Sequence, residues 1–143
     1  MPSVAAETSH WESEFVIGDM HFAAKNWGDP DGEKILALHG WLDNAASFDF
    51  LAPLLPHYHW VCLDMAGHGK SDHRAHFGSY NIWQDVTEIF AAADALGWER
   101  FNLVGHSRGA VIAALACGTF PERIKTLALI EGIATYISRD MDA

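Results

Sequence analysis

Short apolar runs punctuate the chain. Residues 34–38 (KILAL), 59–63 (HWVCL), 101–104 (FNLV) and 125–130 (KTLALI) each stop at a polar residue or glycine: His39-Gly40, Asp64, Gly105 and Glu131-Gly132. Runs this apolar predict strands buried on both faces, as in a parallel sheet. Residues 14–28 (EFVIGDMHFAAKNWG) predict two further short strands around the turn pair Gly18-Asp19. Helical spacing lies between the runs. Asp43 or Asn44 can cap a helix with Phe48, Leu51 and Leu55 on one face. Ile82, Val86, Ile89, Phe90, Ala93 and Leu96 recur at helical intervals, with Gly97 as a stop. Val111, Ala114 and Leu115 mark a third helix, ended by Pro121.

The predicted order is three strands, then helix and strand in alternation. That order specifies an α/β fold: a mostly parallel sheet with helices on both faces and right-handed crossovers. No repeat or linker divides residues 1–143, so one domain is expected. Ligands on such sheets bind at the carboxyl ends of the strands. His39, Asp64, Gly105-His106-Ser107 and Glu131 all fall there.

The segment Gly105-His106-Ser107-Arg108-Gly109 fits G-x-S-x-G in the context that motif needs, a strand before and a helix after. A turn this tight has no room for side chains at Gly105 and Gly109. It holds Ser107 out above a helix N-terminus, where free N–H groups and the helix dipole favour a developing oxyanion. Acyl transfer needs two such donors. The residue after the nucleophile, Arg108, is one candidate, and Trp41 in the His39-Gly40-Trp41 loop is the other. His39 is read as a structural hydrogen-bonding ring rather than a base.

Other signals change the picture less. The run GHGKS (residues 67–71) imitates the end of a phosphate-binding loop, but Asp64 stands where the first glycine of G-x-x-x-x-G-K-[ST] belongs. It is read as a glycine-rich turn. His68, His73 and His76 share a polar segment with no helical pattern to fix their geometry, so a solvated loop is expected and no metal or other cofactor. The chain of 143 residues carries a net charge of −10, which disfavours a nucleic-acid partner. No apolar run approaches the roughly 20 residues of a membrane-spanning helix. The start, MPSVAAETSHWESEF, lacks a basic, then apolar, leader. Cys62 and Cys117 sit in apolar runs and read as buried free thiols, which suits a cytoplasmic location.

Together LALHGWLDNAASF, DMAGHGKSD and LVGHSRGA, in this order, resemble the α/β-hydrolase superfamily and within it the serine hydrolase-like group, over residues 15–133. The resemblance implies a nucleophile at Ser107, oxyanion donors at Trp41 and Arg108, and a small-molecule ester or similar acyl substrate cleaved through an acyl-enzyme. It also implies that residues 1–143 are the N-terminal part of the fold, through about the sixth strand. The triad histidine then falls beyond residue 143, and this stretch alone is expected to be inactive. Arg108 departs from the Met, Gln or Phe frequent at that position. Glu131 has two readings, a triad acid after the sixth strand or a carboxylate on the pocket rim. Serine at 107 argues against dehalogenase chemistry, where aspartate serves. The alternative from another class is a non-catalytic binding protein on the same scaffold.

Overall fold

A computed structural model of the chain describes residues 9–75 and 80–132. Six strands form a single sheet: β1 (His10–Ile17), β2 (Met20–Gly28), β3 (Glu33–Leu38), β4 (Tyr58–Leu63), β5 (Phe101–His106) and β6 (Ile124–Ile130). Their spatial order is β1-β2-β4-β3-β5-β6. The β1–β2 hairpin is antiparallel and closes with Ile17 opposite Met20, and β2 runs antiparallel to β4. The remaining pairings are parallel. Connections leave β3 toward β4 and β5 toward β6, in opposite directions from adjacent strands. The crevice between the carboxyl ends of β3 and β5 is therefore the switch point, where such sheets bind ligands.

Two α-helices, α1 (Ile82–Ala95) and α2 (Arg108–Thr119), pack on the same face of the sheet. The Asn81 side chain caps α1 by accepting from the Gln84 N–H. Val86, Ile89, Phe90 and Ala93 are buried, as their spacing predicts, against Leu36, Leu63, Phe101 and Leu103 of the sheet. For α2 the buried stripe is Gly109, Ala110, Ile112, Ala113 and Ala116, not the expected Val111, Ala114 and Leu115. Its small residues are apolar all round, so periodicity cannot choose the face; the close approach to β3 does.

The helix expected after Asp43 is not there. Two 3₁₀ turns, Ala45–Phe48 and Ala52–Leu54, occupy that stretch and cover the opposite face of the sheet. Asn44 caps the first by accepting from the Ala46 N–H. Pro53 and Pro56 explain the interruption. Each lacks an N–H, so Pro53 is accommodated only in the first turn of the second 3₁₀ segment and Pro56 pushes Leu55 out of the helical region. Leu55, just before Pro56, has φ −125° and ψ 64°, and it is exposed rather than buried.

β3, β4 and β5 are buried nearly end to end, whereas β6 is mostly exposed. Among the described residues β6 pairs only with β5. No helix among them is long and apolar enough to cross a membrane.

Candidate active site

Ser107 follows β5 directly and precedes the first turn of α2. Its backbone is left-handed, with φ 55° and ψ −117°, a conformation a side chain rarely tolerates. The surrounding bonds hold it there. Its N–H donates to the Ile130 carbonyl of β6, extending the parallel ladder (3.0 Å), and its own carbonyl accepts from the Ala110 N–H (2.9 Å). The two glycines are steric necessities. A Cβ on Gly105 would lie 2.3 Å from the Gly109 carbonyl oxygen, and one on Gly109 would lie 2.3 Å from that of Leu38. The elbow is thus pressed against the end of β3, and a Cβ on Gly40 would sit 3.3 Å from the Ser107 Cβ.

The Ser107 hydroxyl has no hydrogen-bond partner among the described residues, nor do the backbone N–H groups of Trp41 and Arg108. Three unengaged groups at one crevice form an arrangement suited to acyl transfer, in which one oxygen attacks and two amides receive the negative charge.

Two histidines shape the loop that carries Trp41. His39 is fully buried, and its Nε2 accepts from the Met65 N–H (3.0 Å). Its Nδ1 must then carry the proton, which it donates to the Gly40 carbonyl (2.6 Å). Burial, chiefly, pushes its pKa below the usual histidine range and keeps the ring neutral. His68 repeats the device: Nε2 accepts from the Leu42 N–H (3.1 Å) and Nδ1 faces the Ala66 carbonyl (2.9 Å). Both rings therefore have both nitrogens engaged by backbone. Leu42, with φ 59°, is the strained third residue of a turn in which the Asp43 N–H bonds the Gly40 carbonyl (3.2 Å). His73 is exposed, and His76 lies outside the described residues.

The Asp64 carboxylate is engaged by its own loops. It accepts from the Ala45 N–H (2.7 Å) and the Lys70 N–H (2.9 Å). The glycine-rich turn after β4 is thereby wrapped around a carboxylate of its own.

Glu131 also has a left-handed backbone, φ 50°, and its exposed carboxylate accepts from His106 Nε2 (3.2 Å). His106 is thus directed to Glu131, and no ring nitrogen among the described residues bonds the Ser107 hydroxyl.

The Arg108 side chain turns toward α1 and donates to Asp85 (2.7 Å), which is almost fully buried. Asp85 also lies 3.6 Å from Arg74, and Arg74 bonds Glu88. Burial raises the Glu88 pKa against the opposing pull of Arg74. Sequence reading missed this cluster, although a signal existed: Asp85 and Glu88, three apart, fall inside the apolar stripe of α1. Charges in a buried stripe call for partners. A cleft of about 290 Å³ lies beside them, lined by Trp41, Leu42, His68, His73, Tyr80, Asp85 and Arg108 among others.

Comparison with known proteins agrees with this architecture. The human serine hydrolase-like protein is 46% identical over 112 residues, covering 78% of this chain and 55% of that protein. The mouse serine hydrolase-like protein is 36% identical over 135 residues, covering 93% of this chain and 43% of its own. The chain thus spans about half the length of these curated relatives. Among solved structures, a hypothetical protein of Pseudomonas aeruginosa superposes with a TM-score of 0.84 at 49% identity, covering 87% of this chain and 44% of that one. A thioesterase domain from the curacin biosynthetic pathway gives a TM-score of 0.81 at 29% identity, covering 87% of this chain and 47% of the domain. Residues 34–142 match the family with the alpha/beta hydrolase fold, and the chain belongs to it.

Proposed function

We propose that Ser107 is the nucleophile of a serine hydrolase acting on a small-molecule ester or similar acyl compound. One observation carries this reading: a strained serine with a free hydroxyl, flanked by the free N–H groups of Trp41 and Arg108. Strain of this kind costs on the order of 1–3 kcal/mol and persists where its surroundings enforce it. The hydroxyl attacks the acyl carbon and the alcohol leaves with a proton. Water then cleaves the acyl-enzyme, releasing acid and restoring the serine. The two amides stabilise the oxyanion at each addition.

The base is assigned to a histidine outside residues 1–143, in keeping with relatives about twice as long. His39 and His68 are committed to backbone and His106 to Glu131. The bond to His106 favours a rim role for Glu131 over that of triad acid. Cys62 and Cys117 are free, Cys62 buried with its thiol pKa pushed up, which supports a reducing cytoplasmic setting.

Fluorophosphonate labelling of the complete protein tests the reading. The probe should attach to Ser107, and Ser107→Ala should remove labelling and lower ester hydrolysis by roughly 10⁴-fold or more. Full activity in Ser107→Ala, or a folded protein that never labels, would leave the binding-protein alternative.

A further inference from the structure

We infer that Arg108 makes the cleft beside Ser107 a site for acyl groups that end in a carboxylate. The inference rests on Ser107 as nucleophile and adds the substrate class. Arg108 serves the site twice. Its backbone N–H, next in the chain to Ser107, has no partner among the described residues, and Arg108 also lines the cleft of about 290 Å³ together with Trp41, His73 and Tyr80. Trp41 and Arg108, the two oxyanion donors assigned above, are both on the cleft wall, so a chain attached to the reacting carbonyl has the cleft beside it.

The guanidinium is anchored on one side only. Its Nη2 donates to Asp85, which is held in turn beside Arg74, while Arg108 stays about a quarter exposed at the side chain (28%). A guanidinium carries five N–H donors in a rigid plane. A buried carboxylate on one edge fixes that plane and leaves donors of the other edge open to the cleft. A second carboxylate can then bind side-on, at little conformational cost. Asp85, itself on the cleft wall, faces two arginines, Arg74 and Arg108, which offset its charge toward such an occupant. Tyr80 accepts from the Arg74 N–H through its hydroxyl oxygen (2.6 Å), and His73 is exposed on the same wall. A long alkyl chain would instead strip water from these groups without replacing their bonds.

The test compares two 4-nitrophenyl esters on the complete protein, the monoester of glutaric acid and the valerate of the same length. Wild type should favour the glutarate ester in kcat/KM. Arg108→Met, which keeps the backbone N–H and the side-chain length, should lower the glutarate-to-valerate ratio by roughly 10- to 100-fold. Arg108→Lys should restore part of it. A general loss of activity lowers both rates and cancels in the ratio. An unchanged ratio in Arg108→Met, or no preference in wild type, overturns the inference and leaves the hydrolase reading intact. Ligand-observed NMR with free glutarate separates the opposite case: binding to wild type but not to Arg108→Met, with neither ester turned over, would uphold the cleft and remove the hydrolase reading.

Discussion

Ser107 holds its left-handed backbone at the expense of stability, and glycine adopts that conformation freely. Ser107→Gly should therefore raise stability by about 1 kcal/mol while abolishing probe labelling, and Ser107→Ala should leave stability nearly unchanged. Paired chemical denaturation curves check this. His39 makes a separate prediction. Its folded pKa is lowered from 6.5, chiefly by burial, and that of His59 is lowered for the same reason. The unfolded chain then binds protons that the folded chain refuses. The stability from neutral rings is complete above pH 6.5 and declines as pH falls below it, toward the folded values. Between pH 7.5 and about 5.5 the melting temperature should fall, and His39→Gln should fall less over that interval, leaving the share of His59. Equal declines would remove His39 from the explanation.

At the scale of elements, the contact between α2 and β3 is set by Gly109. Its α-carbon approaches the Leu38 carbonyl too closely for any side chain. Gly109→Ala should cost about 1–3 kcal/mol, and more if the elbow cannot shift. It should also lower labelling of Ser107, because the serine moves with the turn. The contact between α1 and the start of α2 is ionic instead. Asp85 is buried and faces two arginines. Asp85→Ala leaves both without that partner and should destabilise by about 3–5 kcal/mol. A loss below about 1 kcal/mol would mean that solvent already screens the pair. Both effects are readable from urea midpoints.

For the molecule as a whole, the exposed strand β6 at one edge of the described sheet sets the expectation for residues 1–143 in solution. Leu129 and Ile130 are exposed there, and β6 pairs only with β5 among the described residues. An unpaired apolar edge is a template for another chain. Produced as residues 1–143, the protein should associate or aggregate and should not hydrolyse esters, since no histidine among the described residues bonds Ser107. Size-exclusion chromatography with an ester assay decides. Leu129→Lys should shift the profile toward monomer. A monodisperse wild-type monomer that turns over esters would require a base among these residues.

The chain's own pattern determined most of the frame. Four apolar runs ending in polar residues specified strands β3 to β6, and for β3, β4 and β5 the reason is burial on both faces; β6 carries the same pattern but is mostly exposed, against the expectation of burial. The tight G-x-S-x-G turn was legible for a similar reason: a local steric demand leaves a local trace, as glycines at 105 and 109. The stretch after Asp43 is misread from its pattern: the spacing of Phe48, Leu51 and Leu55 predicts one helix, and the signal against it, Pro53 and Pro56, carries no weight in that reading. Other features had no local trace. The face of α2 is chosen by an approach to β3, some seventy residues earlier. His39 and His68 have their tautomers assigned by N–H groups from other turns. Arg108 finds Asp85 only once α1 and α2 lie on one face of the sheet. Interactions within a few residues are written in the order of the chain, because the backbone itself brings the partners together. Those that pair distant segments exist only after the sheet has closed the distance, and the tertiary structure alone decides them.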